Sequence, residues 1–385
     1  SVLGSVAGCF SALPLLEALG MEGALVTAML CAALSSLFIA FAAKKGSAGK
    51  IVSAVLIALT LVLFPLKESL FVFNSAPSKI LSQAPSKSEM TGWNRAGRVD
   101  IAPFYENVLH NDWLKLQKGI ITVDGDAASL IYDFSEEPSQ IVYSLYSAGY
   151  FGLYAPDVFV AGLSATDISA ALFWQAKSVT SVEVNNAVID LTKRKYSTFK
   201  YDILQNEKVS VVHDEVRAFL GKTDKKYDLI QLSGTDTVSA LLNGAYIMNE
   251  SYLYTKEAFR TYFDRMKDDG TLAVIRWMLW PPRETLKVAV TASLVLKEAG
   301  YEHPENNIVI IGDGILASVL VKKRPYTWTE LNEIADIVAE TKNLRIIYAP
   351  GFSAGELYYD PIVKGVNFSS NQALDFINSG FVHYF

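Results

Sequence analysis

Asp157-Val-Phe-Val-Ala-Gly-Leu163 is a short apolar run ending at a glycine, followed by a helical pattern and then by a second apolar run that closes on an acid. An apolar run without alternation reads as a strand buried on both faces, which a parallel sheet covered by helices provides. Thr166 to Ala176 places Ile168, Ala171, Leu172 and Gln175 at helical spacing, and Ser178-Val-Thr-Ser-Val-Glu-Val184 is the second strand. Its Glu183 stands about 20 residues past the first turn, the separation of a dinucleotide fingerprint. Asn185 is placed to cap the next helix, through Val188, Ile189 and Leu191. Lys208-Val-Ser-Val-Val-His213 and Tyr227-Asp-Leu-Ile-Gln-Leu-Ser233 supply two more strands. Strand, glycine turn, helix, strand and acid, in that order, describe a nucleoside-binding α/β unit.

Four phrases extend this order: Ser181-Val-Glu-Val-Asn185, Tyr227-Asp-Leu-Ile230, Tyr252-Leu-Tyr-Thr-Lys-Glu-Ala-Phe259 and Asp268-Asp-Gly-Thr-Leu-Ala-Val-Ile-Arg-Trp277. Together they resemble the S-adenosylmethionine-type Rossmann fold and, within it, the spermidine synthase-like family, over roughly Gln117 to Lys323. The apolar start of the chain is similar to the membrane-attached branch of that family. The resemblance implies S-adenosylmethionine or its decarboxylated form as cofactor. It places Glu183 on the ribose hydroxyls and Glu215 near the adenine amino group, with Gly162, Ser164 and Ser233 around the same ligand. Asp236 matches the second acid of the loop after the fourth strand and is the candidate catalytic base.

The departures from the family pattern bear on activity. Family members place several glycines after the first strand, whereas this turn reads Gly162-Leu-Ser-Ala-Thr-Asp167 and keeps one. Side chains at Ser164 and Ala165 project where the family leaves room. The family's amine-deprotonating aspartate at the end of the fourth strand is replaced by Ser233, a poor base at neutral pH. A Tyr-His-Glu phrase that contacts substrate in the family is replaced by Tyr143-Ser-Leu-Tyr146. Each candidate also has a plainer role open to it. Glu215 can be a first-turn helix acid, Asp236 a loop or helix cap, and Tyr246, Tyr252 and Tyr254 packing residues.

Hydrophobic residues make up 51% of the 385-residue chain, with mean hydropathy +0.23, and the excess lies before residue 75. Gly23 to Ala43 is uncharged and long enough to span a bilayer, and Ile51 to Leu66 is uncharged but short, needing Lys67 to snorkel or Ser69 to Phe73 to extend it. Ser1 to Gly20 is apolar but interrupted by Pro14 and Glu17, so two spans are expected, or three if it also crosses. It holds Gly4-Ser-Val-Ala-Gly8, whose small-residue spacing lets membrane helices approach closely. No basic stretch precedes the apolar start, so it is not an intact secretory signal, and a longer precursor or processing is expected. Lys44, Lys45 and Lys50 between the spans place that loop on the cytoplasmic side and the large domain opposite, although Lys67, Lys79 and Lys87 weaken the asymmetry.

A net charge of -6 without a basic stripe argues against nucleic acid as a partner. The lipid bilayer and other membrane proteins are the expected partners. Cys9 and Cys31 are too few for a disulfide framework, and His110, His213, His303 and His383 show no ligand spacing, so no metal is expected.

The expected architecture is α/β: transmembrane helices over 1–74, a linker over 75–116 and a small β region over 117–155. A Rossmann-like methyltransferase- or aminopropyltransferase-type domain follows over 156–323, then an α/β extension over 324–385. Alternation around Asp124-Gly125 predicts a hairpin over Lys118 to Tyr132. Ile308 to Ile311 and Ala317 to Lys322 predict a closing antiparallel pair. Thr329 to Thr341 predicts a helix capped by Thr327 or Thr329, Leu344 to Tyr348 a strand, and Asn371 to Ile377 a further helix.

Three functions fit this reading. The first is a membrane-anchored, catalytically degenerate synthase-like protein serving as a structural or assembly subunit of a membrane complex. The second is an active aminopropyl- or methyltransferase, and the third a nucleoside-sensing regulatory domain.

Overall fold

The structure, a computed structural model, describes residues 2–43, 47–71, 75–77, 79–84, 87–94, 97–103, 116–135, 138–234, 252–278, 283–341 and 343–351. The chain forms two compact units, Ser1–Phe104 with Ile120–Ala128, and Tyr105–Gly119 with Ser129–Phe385.

In the first unit, α1 (Val2–Ala42) is broken at Gly20, whose backbone (φ 70°, ψ 178°) is non-helical. That φ suits glycine, and the space does too: a Cβ there would stand 3.0 Å from both Glu22 Oε2 and Trp93 Cδ1. Past the break, α1 returns antiparallel to α2 (Ser47–Leu70), with Ser36 Oγ and Ser53 Oγ 3.0 Å apart and the Lys50 ammonium 4.3 Å from the Phe41 ring centroid. Val26, Ala33 and Ala40 of α1 and Ser53 and Thr60 of α2 are buried at intervals of seven along each helix, with Gly23 buried beside them. A seven-residue seam is the geometry of a left-handed helix pair, and its small residues let the backbones close up. The outward faces carry exposed Phe38, Ile39, Val52, Leu61 and Val62. Gly4–Ala42 (mean hydropathy 2.3) and Ser47–Lys67 (2.2) are both long and apolar enough to cross a membrane. The second run reaches that length by starting at Ser47, ahead of the uncharged core.

Strands β1 (Met90–Asn94) and β2 (Gly97–Ala102) pair antiparallel inside the stretch expected to be linker. This corrects the linker boundary. Asp100 is fully buried and takes Arg98 Nε at 2.8 Å and Arg98 Nη2 at 2.9 Å, with Thr91 Oγ1 at 3.0 Å. Val99 and Ile101, on the other face of β2, are also fully buried, so the strand alternates over a stretch too short to stand out in the sequence. Strands β3 (Gln117–Val123) and β4 (Ala127–Tyr132) complete a sheet in the order β1-β2-β3-β4. The predicted hairpin is present, its turn formed by Asp124 (φ 51°) and Gly125 (φ 76°), both left-handed.

The second unit is built on an eight-stranded sheet. Its strands are β5 (Asp157–Ala161), β6 (Ser178–Glu183), β7 (Val209–His213), β8 (Tyr227–Ser233), β9 (Met266–Trp277), β10 (Ile308–Gly312), β11 (Leu316–Lys322) and β12 (Arg345–Tyr348). Their order is β12-β10-β11-β9-β8-β5-β6-β7. Strands β7, β6, β5, β8 and β9 run parallel, and β11, β10 and β12 add antiparallel neighbours. The chain steps outward from β5 through α3 (Ala165–Phe173), β6, α4 (Asn186–Tyr196) and β7. It then returns through α5 (Val216–Lys222) to β8 on the other side of β5. That reversal makes a topological switch point at the carboxyl ends of β5 and β8, the place where ligands bind in open α/β sheets. It is a Rossmann-like, methyltransferase-type fold.

Asn185 caps α4 as the sequence suggests, its Oδ1 accepting from Ala187 N at 3.0 Å and Val188 N at 3.3 Å. Helices α6 (Lys256–Arg265) and α7 (Arg283–Glu298) cover a core of Phe159, Tyr227, Phe259, Tyr262 and Val274. At the amino ends, Lys267 Nζ reaches Asp157 Oδ2 (2.9 Å) and Asp228 Oδ2 (2.7 Å), holding β5, β8 and β9 in line. Helix α8 (Trp328–Glu340) carries a Thr327–Glu330 capping box. Between 324 and 351 the chain adds helix α8 and the strand β12, which forms an edge of this same sheet. Asn371 to Ile377 lies outside the described residues.

Gly149, in the short 3-10 helix Leu145–Tyr150, lies against the sheet: a Cβ there would stand 2.9 Å from Leu229 Cδ1 and 3.0 Å from Ala273 Cβ. Gly149→Ala is expected to cost about 1–3 kcal/mol by overpacking. Gly221→Ala, on α5 with open space around it, is expected to gain about 0.5–1 kcal/mol. Thermal unfolding of the two variants checks both; equal melting shifts would refute the packing role of Gly149.

Candidate functional site

Gly162 follows β5 with φ 85°, a left-handed conformation that turns the chain off the strand toward α3. Ser164 caps α3, its Oγ accepting from Asp167 N at 3.2 Å. Glu183 ends β6, Glu215 is the N-cap of α5 just past β7, and Ser233 ends β8. Five of the six candidate residues therefore collect at the carboxyl ends of four neighbouring parallel strands. Asp236 and Tyr246 lie outside the described residues.

Glu183 is tied to backbone on both oxygens. Oε2 accepts from Leu163 N at 3.1 Å and Oε1 from Asn185 N at 2.7 Å. Burial raises its pKa and these amide bonds oppose the shift. Ser181 Oγ donates to Gly162 O at 2.9 Å, so β6 grips the turn after β5 from both sides. Val184, the next residue, leaves its side chain 63% exposed, and His213 Nε2 lies 3.1 Å from its carbonyl. Glu215 accepts from Arg217 N (3.0 Å) and Ala218 N (2.7 Å), closing the first turn of α5.

At Ser233 the structure supplies what the sequence reading missed. Ser233 Oγ donates to Asp167 Oδ1 at 2.8 Å, and Gln231 Nε2 donates to the same oxygen and, at 3.1 Å, to Tyr146 O. Asp167 is fully buried, and no ion pair to it exists among the described residues. Burial pushes its pKa up to about 6, against the hydrogen bonds from Ser164, Ser233 and Gln231 that pull it down. Tyr146 and Tyr150 have pKa values raised first by burial and then by the neighbouring Asp167. A carboxyl group thus stands at the end of the fourth strand, brought there by α3 and not by β8. The signals were Asp167 three residues past a capping serine, and a glutamine inside an apolar central strand.

Tyr254 is a buried packing residue, its ring 4.4 Å from the Arg276 guanidinium, which also pairs with Glu284. Tyr252 is exposed, and its carbonyl accepts from Arg217 Nη1 at 3.1 Å. Among the described residues, no group of three or more His, Cys, Asp or Glu side chains is placed to hold a metal.

Residues 167–320 match the family described as the spermine/spermidine synthase domain. Among solved structures, the chain is similar to the spermidine synthase of Thermotoga maritima (14% identity over 63% of this chain and 75% of that one, TM-score 0.43). It is similar to a spermidine synthase in complex with the transition-state analogue AdoDATO (13%, 66% and 78%, 0.43). A probable spermidine synthase from Corynebacterium glutamicum is also similar (10%, 68% and 88%, 0.42). No curated protein matches the chain.

The raised pKa of Asp167 fixes a sign. A carboxyl at about 6 when folded and about 3.9 when unfolded binds more protons in the folded state. Its stabilising contribution is full below about pH 4 and is lost as pH rises through 6. Asp167→Asn removes that titration, so the variant should gain stability over the parent by about 2 kcal/mol between pH 4 and pH 7. Urea unfolding of both proteins across this range measures the difference; a constant offset would show that Asp167 does not titrate there.

Proposed function

We propose that this chain is a membrane-anchored, spermidine synthase-like protein whose α/β domain has lost aminopropyl transfer and serves as a structural or assembly subunit of a membrane complex. The observation that carries this reading is the use of the site's acids. Glu183 and Glu215, which would hold the ribose and adenine of an adenosyl ligand, accept backbone amides of their own turns. Leu163 N, an amide of the turn after β5, is donated to Glu183. Leu163 and Ala165 fill the turn with buried side chains where a cofactor's methionine portion needs bare backbone. As arranged, these residues do not fit S-adenosylmethionine or its decarboxylated form, and no transfer step is assigned to them. Ser233 gives no base, and the buried Asp167 is not exposed to an incoming amine.

Two apolar helices, with aliphatic and aromatic side chains turned outward, support the bilayer as one partner and other membrane-spanning proteins as the second. The net charge of -6 supports neither DNA nor RNA as a partner. The lysines at 44, 45 and 50 favour a large domain on the non-cytoplasmic side.

Calorimetric titration of the detergent-solubilised full chain with S-adenosylmethionine, its decarboxylated form and methylthioadenosine tests the central point. No heat of binding is expected from a protein shown to be folded. A micromolar dissociation constant, about -8 kcal/mol, would instead support an active transferase or a nucleoside sensor. For sidedness, Ser88→Cys in a chain with Cys9 and Cys31 replaced by serine should react with an impermeant thiol reagent in cells with an intact plasma membrane. Protection until lysis would reverse the orientation.

A further inference from the structure

The first unit holds a cavity of 240 Å³, larger than an ordered water needs, between the segment that follows α2 and strands β1 and β2. Ser75 and Lys79 come from that segment, Trp93 and Arg98 from the two strands, and Asp124 and Gly125 from the turn after β3. Backbone draws these walls together: Leu81 N donates to Gly125 O at 2.9 Å, and Asp124 N to Arg98 O at 2.7 Å. Only glycine permits the approach, since a Cβ at Gly125 would stand 2.6 Å from Ser75 Oγ. The cavity lies at the level where the apolar helices end. Trp93 packs on the break in α1 at Gly20, three residues outside the uncharged run that begins at Gly23. Lys67, in the last turn of α2, sits beside that same Gly23, where a Cβ would be 3.4 Å from its Cε. Ser75 follows the last residue of α2 by five. Tryptophan, lysine and arginine collect at such a depth because an interface offers both apolar contact and water.

The walls carry charges of both signs. Arg98 is held by Asp100 through two bonds, and Lys79 Nζ gives one of its three donors to Asp126 Oδ2 at 2.9 Å. Asp124 accepts Arg98 N at 2.9 Å, and among the described residues no cation pairs with its carboxylate. Arg98 and Lys79 against Asp100 and Asp124, with Asp126 behind Lys79, leave no surplus positive charge for a ligand that is only an anion. They suit a ligand that carries both charges. Leu66 and Leu70, exposed near the end of α2, offer its tail an apolar surface. We propose that this cavity seats the headgroup of a zwitterionic phospholipid, its phosphate against Lys79 and Arg98 and its ammonium against Asp124. The phosphate oxygens accept the remaining donors of Lys79, and the ammonium is the counterion of Asp124. A lipid so held fixes β1 and β2 at the bilayer surface. The inference rests on the reading of α1 and α2 as membrane spans.

The test places the full chain in nanodiscs of phosphatidylethanolamine and phosphatidylglycerol in equal amounts and releases it into native mass spectrometry. The parent should retain phosphatidylethanolamine over phosphatidylglycerol by about tenfold, the worth of one charge-assisted bond. Asp124→Asn removes the charge but keeps an oxygen for Arg98 N and a residue type that tolerates the left-handed φ of 51°. This variant should lose the preference. Retention without preference in the parent, a preference for phosphatidylglycerol, or a preference that survives Asp124→Asn overturns the headgroup site. If the variant does not fold, the ratio in the parent still decides. Flotation of the full chain with vesicles of the same composition separates the two readings. A chain that floats but shows no preference overturns the headgroup site alone, and a chain that does not float overturns the membrane spans together with it.

Discussion

Backbone amides at the carboxyl ends of parallel strands and at the first turns of helices have no partner within their own element, and a buried amide must find an acceptor somewhere. In a nucleotide-binding crevice a ligand can supply some of those acceptors. Here the chain supplies them itself: Glu183 to the turn after β5, Asn185 to α4, Glu215 to α5, and Ser164 to α3. The same residues that would recognise a nucleoside are the ones that hold these turns in shape, so recognition and architecture would compete for one set of lone pairs.

Much of the α/β unit was legible in the sequence because it is written in apolar runs. Strand β5 is buried on both faces, and the sequence Asp157-Val-Phe-Val-Ala161 has no other use for its side chains. The caps were legible for a related reason, since Asn185 and Thr327 stand immediately before periodic segments. What escaped was polar and buried. Strand β2 buries the Arg98–Asp100 pair beside its short Val99–Ile101 alternation, and α3 delivers Asp167 to the end of a strand 66 residues away in sequence. Spacing arguments follow one element at a time, and a carboxyl group that crosses from a helix to a neighbouring strand leaves no periodic trace. Glu183 and Glu215 show the converse. Their positions were readable, but the partner each would choose depended on a turn geometry that only folding creates.

The two units differ in how they find specificity. In the helix pair, the seam is small and slightly polar, and Ser53 both back-bonds to Gly49 O and meets Ser36, so register is set by a few hydroxyls within an otherwise uniform apolar surface. In the sheet, register comes from ion pairs at one end and side-chain-to-backbone bonds at the other. Lys267 aligns β5, β8 and β9 from below while Glu183 and Asp167 tie the upper loops.

The placement of β11 between β9 and β10 has a consequence for solubility. Strand β9 is 12 residues long, and its outer neighbour is made of residues 316–322, reached only after α7 and β10 have been synthesised. A chain that lacks residues 316–322 leaves this edge of β9 unpaired. Such an edge invites pairing with other chains. Removing β11 would therefore turn a covered strand into an aggregation-prone edge.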